Sequence, residues 1–131
     1  MEDYLERVMP DMLILCETKW KEEWGVPDIG NEKYNIWMKN RRDKGGGGVM
    51  MMVRKNVKLR KVEISMNRSE VIKAEIEKTN GDTMMHVGMY VPPLTNAWTR
   101  MEYESMLEET INEMEKIVSQ NKNVIIVGDF N

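Results

Sequence analysis

Two carboxylates in this sequence directly follow uninterrupted apolar runs. Asp129 comes after VIIVG at residues 124–128, and Glu17 comes after MLILC at Met12–Cys16. Short, wholly apolar runs read as buried strands. Each carboxylate therefore sits at the end of a rigid element, which suits a metal ligand or a base. The plainer reading stays open for both, since aspartate often starts a turn and a glutamate after a strand is usually solvated.

Other chemical signals are weaker. The four glycines at 45–48 do not run on into a Lys and a Ser or Thr, so they are no phosphate-binding P-loop. Met50 stands where a dinucleotide fingerprint counted from Gly45 needs its last glycine, and a turn is the better reading. His86 is the single histidine, which excludes a two-histidine zinc site and leaves no Ser, His and Asp set. Beside Met85 in a strand, it reads as packed rather than catalytic. Cys16, the single cysteine, lies within an apolar run and reads as a buried small residue, not a nucleophile. The consecutive Met50, Met51 and Met52 would alternate faces in a strand, so they fill a core rather than bind copper. Asn67-Arg68-Ser69 matches a glycosylation sequon, which means little without a secretory signal.

The elements that must position the two carboxylates are legible in outline. Tyr4, Leu5, Val8 and Met9 recur at helical spacing up to Pro10, which stops the turn. The strand Met12–Cys16 follows, then a loop with Gly25, Pro27 and Gly30, a strand at 34–38, and strands at 49–53, 57–64, 71–76 and 84–90. Asn80-Gly81 signals a type I′ hairpin turn, so the last two should pair antiparallel. From Thr99 the period changes to that of a helix. Tyr103, Met106, Leu107, Ile111, Met114, Ile117 and Val118 mark one apolar face, with Thr99 and Glu102 as a capping box. The helix ends near residues 121–123, before the strand VIIV.

A strand, a long helix and a second strand normally make a parallel crossover, so both strands end at one edge of the sheet. Tyr90 and Asp129 then face one crevice, where open α/β sheets bind ligands. Glu17 is a third candidate for that edge.

Composition sets broader bounds. A chain of 131 residues with 41% hydrophobic and 31% charged residues suits one globular domain that needs no disulfide. With one cysteine, no apolar run of membrane-spanning length and an acidic start (MEDYLERVMP), it reads as soluble and intracellular, with no membrane partner. The net charge of −3 argues against a simple nucleic-acid coat protein. That average hides an asymmetry: Lys39, Arg41, Arg42, Lys44, Arg54, Lys55, Lys58, Arg60 and Lys61 face a lone Asp43, whereas residues 102–115 hold six glutamates and no base. A basic face for a polyanion is therefore possible, though charge runs are commonly just solvated.

Four separated pieces occur in order: PDMLILCETK at 10–19, GGGVMMMV at 46–53, YVPP at 90–93 and VIIVGDFN at 124–131. Together they resemble the endonuclease/exonuclease/phosphatase superfamily, most nearly the apurinic-type endonuclease domain that precedes a reverse transcriptase in non-LTR retrotransposons. The resemblance implies an α/β fold, part of a four-layer sandwich of two packed mixed β-sheets flanked by helices. It implies a Mg2+ (or Mn2+) dependent hydrolase of DNA phosphodiester bonds. Glu17 would bind the cation, Tyr90 would line the scissile phosphate, and Asp129 and Asn131 would orient the attacking water and contact the phosphate. Magnesium takes hard oxygen ligands, often one or two carboxylates with water and phosphate, which agrees with this assignment.

The departures carry expectations too. The family's domain begins with a strand bearing a catalytic asparagine and closes with a Ser-Asp-His motif, and neither is matched in residues 1–131. The resemblance thus implies a partial domain, lacking the first strand and the C-terminal half, inactive alone, with a reverse transcriptase domain downstream in its parent and the nucleus as its place of action. Other readings are a phosphatase or phosphodiesterase of the same superfamily, a non-catalytic DNA-binding remnant using the basic stretch, and a nucleotide-binding domain with VIIVGD as a Walker-B-like strand. The missing P-loop disfavours the last.

Overall fold

The computed structural model describes residues 2–29, 32–41 and 44–130. Helix α1 (Glu2–Val8) leads into a three-stranded antiparallel sheet of order β1-β3-β2, made of β1 (Met12–Cys16), β2 (Tyr34–Lys39) and β3 (Val49–Arg54). A second sheet runs β4-β5-β6-β7, from β4 (Leu59–Ile64), β5 (Glu70–Glu77), β6 (Thr83–Val91) and β7 (Val124–Phe130). Its first three strands pair antiparallel, and β6 and β7 pair parallel across helix α2 (Arg100–Gln120). This is the crossover expected from the change of period at Thr99.

The sequence's periodicities decide how the layers stack. Because strand side chains alternate faces, Val49, Met51 and Val53 of β3 point to the second sheet and meet Ile72, Ala74 and Tyr90 there. Met50 and Met52 point the other way and pack with Leu5 of α1 and Tyr34. On the far side of the second sheet, Val71, Val87 and Met89 pack against Ile117 and Met114 of α2. The order is thus helix, sheet, sheet, helix, and the three consecutive methionines serve two different cores. This is the expected α/β sandwich.

Two local expectations are corrected. The 80–81 turn is not type I′, which needs positive φ at both central residues. Asn80 lacks it, and the loop is a three-residue one in which Lys78 N–H donates to Asp82 O (2.7 Å), Gly81 N–H donates to Lys78 O (3.0 Å) and Gly81 has φ +90°. The apolar face of α2 is also rotated from the one read in sequence. Met106, Thr110 and Ile117 are buried, whereas Ile111 and Val118 are 53% and 57% exposed. Thr110 joins the buried face because its hydroxyl donates to Met106 O (2.7 Å) within the helix, which satisfies the polar group locally. The capping box is as expected: Thr99 Oγ1 accepts from Glu102 N–H (3.2 Å) and Glu102 Oε2 accepts from Thr99 N–H (3.0 Å).

The rotated face makes a measurable difference. Ile117→Ala should cost about 2–5 kcal/mol in urea denaturation, as core truncations do. Ile111→Ala, equally apolar in sequence, should change stability by less than about 0.5 kcal/mol. Equal losses would restore the original face.

Candidate active site

Strand register assembles one half of the site. Glu70 on β5 lies opposite Tyr90 on β6, and Tyr90 lies opposite Asp129 on β7, so three polar residues form one row across the second sheet. Val124 and Ile126 face α2, so Asp129, an odd number of strand positions beyond both, faces away from it. The first sheet brings the other half. β1 ends at Cys16, whose thiol donates to Met89 O (3.5 Å) and faces the Asp129 backbone N–H. Glu17 follows immediately. The carboxyl ends of β1, β6 and β7 therefore converge, as the sequence reading expected. Asn131 lies outside the described residues.

The charges at this edge act on the Tyr90 hydroxyl and the Cys16 thiol. The Tyr90 hydroxyl is pushed above its ordinary value of 10.0, first by burial, then by the charge of Glu17, with Arg41 opposing and Glu70 and Asp129 adding to the rise. Burial also raises the Cys16 thiol, and the charges of Asp129 and Glu70 act in the same direction. Cys16 is thus held as a neutral thiol, consistent with its reading as a packed residue. Three carboxylates with one guanidinium around a phenol leave a negative field at the edge.

A divalent cation suits that field. Among the described residues no three acidic, histidine or cysteine side chains form a metal cluster, but magnesium is commonly held by one or two carboxylates with water and substrate phosphate. Glu17, half exposed and 3.7 Å from Lys19 Nζ, and Asp129 supply hard oxygen donors of that kind. The donor set fits the group that the sequence implies.

The segment carrying Glu17 is strained. Glu17 and Lys19 both have φ +54°, a left-handed conformation that costs L residues about 1–2 kcal/mol each. The glycine turn holds it: Lys19 N–H donates to Gly47 O (2.9 Å), and Thr18 N–H donates to Gly48 O at a longer 3.5 Å. Gly48 has φ +97°, and a Cβ there would sit 2.6 Å from Thr18 Oγ1, so no other residue fits. The four glycines are more than the plain flexible turn read from sequence. Gly47 and Gly48 clamp the Glu17 segment.

Glu70 is the site residue the sequence reading missed. It is 3% exposed, accepts from Gly48 N–H (2.6 Å) and pairs with Arg41 Nη2 (2.7 Å). An acid at the start of a strand that also carries Lys73, Glu75 and Glu77 gives no distinct signal, since a solvated strand end has the same pattern. On the opposite side of Tyr90, Tyr103 of α2 donates its hydroxyl to Pro92 O (2.8 Å) and anchors the chain leaving β6.

The basic stretch does not form one face. Lys39, Arg41 and Lys44 lie at the site end of β3, while Arg54 to Lys61 lie at the other end, about 17 Å away at strand spacing. Most are engaged: Lys39 with the carbonyls of Ser65 and Asn67, Arg41 with Glu70, Lys44 with Glu102, Arg54 with Asp11, Arg60 with Glu77 and Lys61 with Glu63. Arg42 and Asp43 lie outside the described residues. A groove of mixed charge flanks the site, lined by Lys19, Trp20, Lys21, Glu22, Glu23, Arg41 and Lys44. His86 is half-buried, with Nδ1 3.3 Å from Met84 O, and belongs to the strand rather than the site.

The model of the endonuclease/exonuclease/phosphatase family matches residues 1–131. The chain belongs to that family. Solved structures similar to this family member include the catalytic domain of Xenopus laevis APE2 (TM-score 0.73, 14% identity, 99% of this chain and 52% of that one). They also include an AP endonuclease from Archaeoglobus fulgidus (TM-score 0.68, 21% identity, 98% and 49%) and TDP2 from Caenorhabditis elegans (TM-score 0.60, 15% identity, 95% and 38%). At these identities the likeness is one of fold, and the chain spans about half or less of each structure. No curated protein matches the chain. No helix among the described residues is long and apolar enough to cross a membrane.

The Tyr90 environment can be titrated. The phenolate absorbance of the wild type minus that of Tyr90→Phe should show a midpoint above 10.0. Glu17→Gln should lower that midpoint and Arg41→Gln should raise it. Because the unfolded chain then releases this proton first, Tyr90's contribution to stability is complete below the unfolded value and fades as pH rises through the folded one. A midpoint at or below the ordinary value would place Tyr90 outside the cluster.

Proposed function

We propose that this chain is part of a divalent-metal-dependent endonuclease that hydrolyses DNA phosphodiester bonds, of the kind carried by non-LTR retroelements. The observation that carries this reading is the register of Tyr90 beside Asp129, at the edge where β1 ends on Met89 and Glu17 begins. Glu17 would hold Mg2+ or Mn2+, which when bound neutralises charge on the phosphodiester. The Tyr90 hydroxyl, kept protonated by its surroundings, donates a hydrogen bond to a phosphate oxygen. Asp129 accepts a hydrogen bond from the attacking water and aims it, and Asn131 contacts the phosphate.

DNA is the favoured substrate because Lys19, Lys21 and Trp20 line a groove beside the Glu17 segment, with Glu22 and Glu23 also on its wall, and lysines with an aromatic ring suit a phosphate backbone and its bases. Domain extent is part of the proposal. Ile125 and Val127, 41% and 49% exposed, share the face of β7 turned away from α2, and β7 is an edge strand among the described residues, an arrangement that calls for further covering structure. In this reading residues 1–131 form a partial domain that does not cleave by itself. Its parent carries a reverse transcriptase domain and works in the nucleus.

Backbone amide shifts on titration with a DNA oligonucleotide in Mg2+ test the reading. Thr18, Val91 and Phe130 should move, and the effect should be lost in Glu17→Gln. Shifts with inositol phosphates and none with DNA would favour the phosphatase branch. Salt-sensitive DNA binding indifferent to Glu17→Gln and Asp129→Ala would favour a non-catalytic remnant. The chain alone should not nick supercoiled plasmid above background, and nicking abolished by Asp129→Ala would overturn its inactivity.

A further inference from the structure

We infer that Glu70 is a positioning residue that sets the backbone of the Glu17 segment through the glycine turn. It does not reach Glu17 directly. Its two carboxylate oxygens divide their work: Oε1 accepts from Gly48 N–H (2.6 Å) and Oε2 accepts from Arg41 Nη2 (2.7 Å). The next link runs from the turn to β1, where the carbonyls of Gly47 and Gly48 take the N–H groups of Lys19 and Thr18. Those two amides lie immediately beyond Glu17, between and within the two residues held at φ +54°. Four groups from four parts of the chain are thus linked in series: the start of β5, the end of β2, the turn before β3 and the exit of β1.

The series explains two oddities at once. Left-handed φ at Glu17 and Lys19 persists only where surrounding structure over-determines it, and the glycine carbonyls supply that constraint. A carboxylate buried to 3% exposure needs charge and hydrogen-bond compensation, and Arg41 with Gly48 N–H supplies it. Both residues are firmly placed, with Arg41 also stacked 5.2 Å from the Trp98 ring. The Arg41 side chain also lies where a Cβ on Gly47 would be, so it packs directly over the turn. Removing Glu70 would free the Gly48 amide, relax the turn and release the Thr18 and Lys19 amides.

The test is amide hydrogen exchange on the 131-residue chain, together with Mn2+ binding followed by electron paramagnetic resonance. Glu70→Gln keeps the shape. Arg41→Met with Glu70→Leu leaves no buried charge and guards against simple unfolding. In both, Gly48 and Lys19 amides should exchange about tenfold faster or more, while Met50 to Val53 in β3 stay protected. Gly48 alone accelerating, with Lys19 unchanged, would reduce Glu70 to a cap on the turn and overturn the inference. So would loss of protection throughout β3 in both variants.

The metal arm rests on the endonuclease reading of Glu17. There, Mn2+ affinity should fall about tenfold in Glu70→Gln, the scale seen when a residue that orients a metal ligand is lost, and further in Glu17→Gln. Wild-type chain that binds no Mn2+ would defeat the metal reading of Glu17. The exchange data would still decide the positioning role.

Discussion

A carboxylate taken out of water stabilises nothing by itself, and Glu70 is almost wholly removed from it. What makes its burial tolerable is a guanidinium on one oxygen and a backbone N–H on the other. Those partners come from the end of β2 and the turn before β3, so satisfying one charge fixes the corner where the two sheets meet. The strained exit of β1 leans on that corner. The ion pair and the hydrogen bond beside it thus tie the two sheets at this corner, next to the apolar core that packs them together, and on the proposed role of Glu70 the direction of Glu17 leans on them.

The row Glu70, Tyr90 and Asp129 shows how strand register turns a local pattern into a site. None of the three is near another in sequence, yet antiparallel pairing of β5 with β6 and parallel pairing of β6 with β7 bring them side by side. A one-residue slip in either pairing would send a member of the row to the opposite face. Gly128 guards the second pairing, because a Cβ there would meet the Met89 carbonyl oxygen on β6.

Much of this architecture was legible in residues alone. The apolar runs of β1 and β7 have no polar position to expose, and α2 has a capping box and a helical period, so their existence and order followed directly. Tyr90 and Asp129 fall at one edge by the logic of a right-handed crossover, and Glu17 is a candidate for it because it follows the apolar run of β1. Glu70 was not legible in this way, because its meaning depends on Arg41 and Gly48, which are distant in sequence. The burial of Thr110 in place of Ile111 was also hidden, since a hydroxyl satisfied within its own helix leaves no trace in hydropathy. The basic stretch reads as one surface because periodicity says nothing about which acids meet it, and β3 separates its described members to opposite ends.

Consider last the parallel pairing of β6 with β7. Thirty-odd residues separate the two strands, and Asp129 lies more than a hundred residues from Cys16, which its backbone faces. Closing such loops costs entropy before any contact compensates. The hairpin of β5 and β6 can form early from neighbouring residues, but the edge where Tyr90, Asp129 and Glu17 meet can exist only after α2 has folded back and β7 has docked. Loop closure alone therefore makes the acidic edge a late element to assemble.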